Sequence, residues 1–276
     1  MKTLIIADSS ADRNESTDKI SSIVHVPLTI DVNGNHYVDD DSIDLAALRA
    51  DIRASEEAAK TAGVAPRHFL DQARASDAER IYIVTISSKL SGTYSNAAMA
   101  VEELRKEKKE VYLIDSLSAA SGVTDVACKI HELVEEGLSS QEIMDKITAF
   151  VADMRTWFVL DDLSTLTKSG RMPKIAGRLA RGLSIKLICQ GEGGTISASG
   201  FKRGMKSALE SLCQKIEQDP VDFSDRVLYI SHVEAKDRAQ AIKDRLKDLP
   251  FRDVQILPAA GLITVYANEG GVVVAY

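Results

Sequence analysis

The sequence predicts an α/β protein of two domains, the first with a mainly parallel sheet covered by helices on both faces and the second with a mixed sheet. Up to about residue 155, short β-rich runs alternate with amphipathic helical segments, as in strands joined by helical crossovers. After residue 156 short strands dominate, and a glycine-rich turn at 191–194 joins two of them. We therefore expect domains at 1–156 and 157–276.

Each element of the first domain rests on apolar residues at strand or helix spacing. A strand-like run spans 24–32. The turn Asn33, Gly34, Asn35 separates its part 26–32 from 36–38, which predicts a hairpin at the edge of the parallel sheet. The other expected elements, in chain order, are a strand at 3–7, helices at 44–60 and 67–75, a strand at 81–86, a helix at 93–106, a strand at 111–114, and helices at 119–136 and 140–153.

The second domain is expected to alternate short strands with helices in a mixed sheet. Its expected strands are 157–160, 185–189, 196–199, 227–232, 254–257 and 272–276, and its expected helices are 162–168, 175–182, 204–218 and 235–248. The basic residues of the stretch from Lys168 to Lys186 form either a solvated helix face or a docking patch for an acidic partner.

Composition excludes several classes of function. The net charge of −7 and the pI near 5.4 argue against nucleic acid as the main partner. No apolar run approaches the length of a membrane span, and Lys2 leads directly into a strand, so we expect a cytoplasmic protein. The three cysteines lie far apart among aliphatic residues, which indicates neither a disulfide framework nor a metal site.

The most informative segment is 81–93. A buried strand ends at Ile86, and the amphipathic helix that begins at Thr93 places Ser91 and Gly92 at its N-terminus. Free backbone N–H groups and the positive end of the helix dipole meet small hydroxyls there. This combination favours binding of a carboxylate or a phosphate.

Two other strands also end in polar side chains. Asp8, Ser9 and Ser10 follow the first strand, and Asp115 and Ser116 follow the strand at 111–114. Because ligands of open α/β sheets bind outside the carboxyl ends of the strands, these ends predict a shared crevice. The alternative is that each residue only caps a helix.

Several catalytic and nucleotide motifs are absent from the sequence. There is no Gly-x-Ser-x-Gly elbow, no P-loop and no Gly-x-Gly-x-x-Gly after the first strand. Among the histidines, His232 alone is placed like a site residue, and a structural role is its alternative. Arg171, in a loop after a helix, is expected to reach an anion or a partner carboxylate.

These residues resemble the DegV family of bacterial fatty-acid-binding proteins over nearly the whole chain. The matching segments are Asp8-Ser9-Ser10, Val26-Pro27-Leu28, Thr61 with Pro66 and Phe69, Ile86 to Thr93, Asp115-Ser116 with Ser118, and Leu163, Leu166, Gly170 and Arg171.

The resemblance implies an apolar tunnel between the domains that holds a long-chain fatty acid, without catalysis by this chain, without a cofactor and without a metal. The fatty-acid carboxylate would be bound at Thr61 and Ser91, with Gly92 and Tyr266 beside it. A separate fatty acid kinase subunit would receive it, and Arg171 and Arg203 are the candidate partner contacts. Tyr266 stands where the family commonly has a histidine, and of the family's Thr-Ser-Gln-Pro run only Thr61 is kept.

Two other functions stay open at this point. One is a divergent member that binds another amphipathic carboxylate or phosphate. The other is an acyl enzyme with Ser91 as nucleophile and His232 or Tyr266 near it.

Overall fold

The computed structural model describes residues 2–172 and 184–276, which form three sheets with helices packed around them. The first sheet is wholly parallel and has the strand order β2-β1-β6-β7. Its strands are β1 (Thr3–Asp8), β2 (Ile23–Val26), β6 (Arg80–Thr85) and β7 (Glu110–Asp115).

Helices cover both faces of this parallel sheet, as the sequence predicts. Alternate residues of a strand point to opposite faces, so Ile83 packs with one apolar cluster and Tyr82 with the other. The flanking helices are α1 (Glu15–Asp18), α3 (Pro66–Ala75), α4 (Thr93–Lys106), α5 (Ser121–Glu135) and α6 (Ser140–Asp153).

The expected hairpin forms, but its predicted place at the edge of the parallel sheet is wrong. β3 (Thr29–Val32) pairs with β4 (Asn35–Val38) on one side and with β5 (Lys60–Ala62) on the other, in a separate antiparallel sheet. The run 24–32 breaks at Pro27, which cannot donate a ladder hydrogen bond. The helix predicted at 44–60 is also too long, because α2 (Leu45–Ala54) ends at the extended residue Ser55.

The later part of the chain builds a six-stranded mixed sheet with the order β10-β9-β8-β13-β11-β12. Only β11 and β12 pair in parallel. The strands are β8 (Thr156–Val159), β9 (Ile185–Glu192), β10 (Thr195–Arg203), β11 (Val227–His232), β12 (Asp253–Pro258) and β13 (Val272–Ala275), and the helices are α7 (Ser164–Lys168), α8 (Met205–Glu217), α9 (Lys236–Arg245) and α10 (Gly261–Ala267).

The two faces of the mixed sheet have different neighbours. Val159 and Val272 point into a core formed with α8 and α9. Their neighbours Phe158 and Val273 point the other way, into a cluster that includes residues of α7 and α10. This second face is the one that borders the cavity described below.

Helix α10 is not predicted by the sequence, since Ile263, Thr264 and Val265 favour a strand. Two buried aspartate side chains from early in the chain hold its N-terminus. Asp39 accepts from the N–H groups of Gly261 (2.7 Å) and Leu262 (3.0 Å), and Asp12 accepts from that of Ala260 (2.8 Å). The helix is thus fixed by tertiary contacts.

The chain leaves α6 at Asp153 and enters the mixed sheet at Thr156. The division into domains 1–156 and 157–276 stays a prediction. The predicted helix at 175–182, with Lys174, Arg178 and Arg181 of the basic stretch, lies outside the described residues. Among the helices of residues 2–172 and 184–276, none is both long and apolar enough to cross a bilayer.

Candidate functional site

A mostly apolar cavity lies between the ends of the parallel strands and the inner face of the mixed sheet. It offers about 190 Å³ to the centre of a water-sized sphere, and one water molecule needs about 10–15 Å³ on that measure. Its apolar wall includes Leu28, Ile86, Phe158, Leu160, Ile196, Ile263 and Val273. The cavity is large enough for a ligand many times the size of a water molecule.

One part of the cavity wall carries hydroxyl groups. Thr61, on β5, shares a 2.8 Å hydrogen bond with the phenol of Tyr266, on α10. Both side chains are half-buried and line the cavity. Two hydroxyls that lie far apart in the sequence therefore meet at one point, where either can turn its proton toward an anion.

The N-terminus of α4 adds further donors. Gly92 is the N-cap residue of α4 and makes no side-chain cap, and the first N–H groups of a helix have no acceptor within the helix. Ser91 Oγ lies 3.0 Å from Thr93 Oγ1 and accepts weakly from the Thr93 N–H at 3.3 Å. Ser91 and Gly92 both line the cavity, as Thr61 and Tyr266 do.

The segment that carries Thr61 is tied closely to the start of α4. A Cβ placed on Gly63 would lie only 2.8 Å from Thr93 Oγ1 and 3.1 Å from Thr93 N, so a residue without a side chain permits this approach. Asn96 of α4 donates to the carbonyl of Val64 at 2.9 Å. These contacts keep Thr61 and Ser91 on the same side of the cavity.

Arg171 brings a positive charge to the cavity wall. Its Nε donates to the Leu90 carbonyl (3.2 Å) and one terminal nitrogen donates to the Ser169 carbonyl (2.9 Å). Its guanidinium lies 5.9 Å from the ring centroid of Tyr266, within cation–π range. Among the residues that the structure describes, no carboxylate forms an ion pair with Arg171.

The polar strand ends do lie next to one another, but most of them serve the structure rather than the cavity. Buried Asp8 accepts from the N–H of Ile86 at 2.7 Å, and Asp115 accepts from the N–H of Ser88 at 3.1 Å. Ser9 donates to Asp39. Burial raises the pKa of Asp8 to about 6. These side chains fix the loops that shape the cavity. Of the polar side chains at these strand ends in the described chain, that of Ser118 lines the cavity.

Two other candidate residues lie away from the cavity. Arg203 ends β10 and is exposed on the surface. His232 accepts from the N–H of Ala235 at 3.3 Å, and burial lowers the pKa of its imidazole, which fits the structural role left open as the alternative.

Sequence reasoning missed the contribution of the β9–β10 hairpin. The turn at Gly193 and Gly194 is predicted correctly, but it also reaches the first sheet, where the Ser87 hydroxyl donates to the Gly194 carbonyl at 2.6 Å. Thr195 and Ile196 line the cavity as a result. The only signal available was that a glycine pair permits close approach of two backbones.

Fold and cavity together define an α/β protein with an apolar binding cavity that is polar in one part of its wall. The chain belongs to the DegV family: the family model, whose description reads "Uncharacterised protein, DegV family", matches residues 2–276. A DegV domain-containing protein of Streptococcus pneumoniae is 32% identical over 279 residues, which cover 99% of this chain and 98% of that protein. The family resemblance seen in the sequence is confirmed.

Solved structures of similar proteins have the same fold. A DegV family protein from Ruminococcus gnavus with vaccenic acid has a TM-score of 0.92 and 31% identity, covering 99% of each chain. The fatty acid kinase (Fak) B3 protein of Streptococcus pneumoniae, loaded with linoleic acid, has a TM-score of 0.90 and 30% identity, covering 100% of this chain and 99% of that one. The predicted fold class is confirmed.

Proposed function

We propose that this protein binds a long-chain fatty acid in the cavity and presents the carboxylate to a separate fatty acid kinase subunit. The observation that carries the proposal is the distribution of polarity in the cavity. Its hydroxyls at Thr61, Ser91 and Tyr266 gather beside a helix N-terminus and Arg171, and most of the remaining wall is apolar. An elongated acid with one polar end matches that distribution.

The energies of the two ends differ in kind. Burial of an alkyl tail contributes about 0.8 kcal/mol per methylene, so about ten methylenes offer about 8 kcal/mol before entropic costs. A carboxylate that loses water without new partners costs several kcal/mol. The hydroxyls and the N–H groups of α4 are placed to replace that water, so the tail supplies affinity and these donors supply orientation.

The relatives support this ligand class. The Ruminococcus gnavus protein holds vaccenic acid, the pneumococcal Fak B3 protein holds linoleic acid, and a DegV family protein from Eubacterium eligens, 28% identical with a TM-score of 0.91, holds heptadecanoic acid. Each is a long-chain fatty acid. Tyr266 would serve the carboxylate as a neutral hydrogen-bond donor in this chain.

The test of binding is titration of delipidated protein with palmitate by calorimetry, followed by competition with dodecyl phosphate. Binding of palmitate in a one-to-one ratio, with weak competition by the phosphate, supports the proposal. If dodecyl phosphate displaces palmitate completely at equal concentration, the alternative is favoured that this chain is a divergent family member that binds another amphipathic molecule. If neither binds, the ligand class is wrong.

Presentation to a kinase requires that the carboxylate end be reachable from outside. The hydroxyls of Thr61, Ser91 and Tyr266 mark what we call the donor end of the cavity. Gly92 is exposed and Ser91 is half-buried, so the donor end reaches the surface. Arg171 stands beside it, and exposed Arg203 offers a second positive charge for a partner. We infer that an acidic face of the kinase subunit contacts these two arginines.

This step is tested with palmitate-loaded protein, ATP and the ATP-binding subunit of a bacterial fatty acid kinase, with the acyl phosphate trapped by hydroxylamine. The contact is supported if wild type forms the hydroxamate and Arg203→Glu forms it at least tenfold more slowly with unchanged palmitate affinity. Equal rates for wild type and Arg203→Glu would remove Arg203 from the interface. A matched control is Lys247→Glu, which reverses the charge of an exposed residue shortly after α9.

A serine-dependent acyl enzyme is not favoured. Of the described residues that line the cavity, none is a histidine, aspartate, glutamate or lysine, so Ser91 has no general base there. The phenol of Tyr266 bonds Thr61 rather than Ser91. A serine-reactive phosphonate that labels Ser91 stoichiometrically would overturn this conclusion.

A further inference from the structure

A thin partition separates the cavity from a second cleft that opens on the protein surface. The outer cleft has a volume of about 320 Å³ by the measure used above. Four of the residues that the structure describes line both spaces: Leu117, Thr156, Gly191 and Gly194. Thr61, Ser91 and Tyr266 line the inner cavity only, so none of them is part of the partition.

The partition forms where two glycines, Gly191 and Gly194, let the β9–β10 hairpin lie close to neighbouring side chains. A Cβ placed on Gly194 would lie 3.1 Å from Leu117 Cδ2, and a Cβ placed on Gly191 would lie 3.3 Å from Thr156 Cβ. The side chains of Leu117 and Thr156 therefore reach the hairpin backbone and fill the gap between the two spaces.

The polar groups of the partition bond to one another. Ser118 and Thr156 share a hydrogen bond of 2.7 Å, and the Ser87 hydroxyl donates to the Gly194 carbonyl at 2.6 Å. Groups that are already paired offer no strong site for a ligand head group. Of the partition residues, Leu117 is the one that presents a large apolar side chain.

Leu117 is held in this position at a cost in backbone energy. Its φ is +50°, a region that favours glycine over leucine. Its N–H donates to Asp115 at 3.0 Å, and the carbonyl of the next residue, Ser118, accepts from the N–H of Ser87 at 2.8 Å. Strain held by surrounding contacts often marks a residue whose side chain has a defined task.

We propose that Leu117 is the stop that sets the longest fatty acid the cavity accepts, with the acyl terminus resting against it. This inference rests on the proposed function. Beyond Leu117, the outer cleft has apolar side chains at Val151, Met154 and Trp157. The rest of its lining is largely polar and includes Arg155 and Gln190. Removal of the leucine side chain would join the two spaces and let a longer tail extend along the apolar side chains of the outer cleft.

The test measures displacement of a fluorescent fatty acid by palmitate, stearate, arachidate, behenate and lignocerate, in wild type, Leu117→Ala and Leu117→Gly. Glycine suits the positive φ, and Leu117 is only half-buried, so Leu117→Gly is expected to fold. The matched control is Leu209→Ala, which removes the same atoms from a half-buried leucine that lines neither space.

We expect wild-type affinity to rise with chain length and then to fall. In both Leu117 variants the first acid beyond the wild-type optimum should bind at least about tenfold tighter, since two more methylenes become buried. Leu209→Ala should keep the wild-type optimum. An unchanged optimum in both Leu117 variants, or uniform weakening of every acid, would overturn the inference. If wild type binds none of the acids, the proposed function fails instead.

Discussion

Removal of the Tyr266 hydroxyl tests the proposed carboxylate site. Tyr266 and Thr61 share a 2.8 Å hydrogen bond in a half-buried part of the cavity wall. A hydrogen bond to a charged group is worth about 1.5–3 kcal/mol, against about 0.5–1.5 kcal/mol for one between neutral groups. If the phenol donates to the carboxylate, Tyr266→Phe should weaken palmitate binding by about 1.5–3 kcal/mol, which is roughly 10- to 150-fold in Kd.

The assay is calorimetric titration of delipidated Tyr266→Phe and of a matched control, Tyr94→Phe. Tyr94 is also half-buried, but it lies on α4 outside the cavity wall, so its variant should bind like wild type. Thr61→Val and the double variant complete a mutant cycle, in which the two losses should not add because both groups serve one anion. A loss below about threefold in Tyr266→Phe would refute the role of the phenol.

Three further changes test the framework of the site. Gly63→Ala places a methyl group against Thr93, and such overpacking costs about 1–3 kcal/mol. Palmitate affinity should therefore fall by at least about tenfold. The control variant Gly200→Ala, whose methyl group meets only ordinary contacts, should bind like wild type. Asp39→Ala removes the acceptor for two N–H groups of α10. In urea titration it should lower the free energy of unfolding by about 2–4 kcal/mol. A change below about 1 kcal/mol would contradict that role. Burial raises the pKa of Asp12 to about 8, so the neutral acid is favoured in the folded state. The stability that the folded protein gains from neutral Asp12 is therefore lost as the pH rises from about 4 to about 8. Asp12→Asn should flatten the fall in unfolding temperature over that range, and an identical pH profile would show that Asp12 does not titrate there.

Local patterns in the sequence predict the parallel sheet and the α4 end of the site. The strand at 81–86, the helix from Thr93 and the small residues Ser91 and Gly92 are adjacent in the sequence, so their geometry follows from strand and helix spacing alone. The expected shared edge of the three polar strand ends also appears, because β1, β6 and β7 are neighbours and parallel.

The other side of the site could not be predicted in the same way. Thr61 lies on a three-residue strand, too short to show a period, and Tyr266 lies on a helix whose β-branched residues favour a strand. Both elements exist because of partners distant in the sequence: β5 pairs with β3, and α10 is held by Asp39 and Asp12. Only the family resemblance placed Thr61 and Tyr266 in one site from the sequence.

The central claim is that the cavity holds one long-chain fatty acid, and native mass spectrometry of the protein as purified tests it most directly. The account predicts a population heavier than the chain by the mass of a single fatty acid, which denaturation releases and which fragmentation identifies. Release of a different class of molecule, or an empty chain that fails to take up palmitate on addition, would contradict the account.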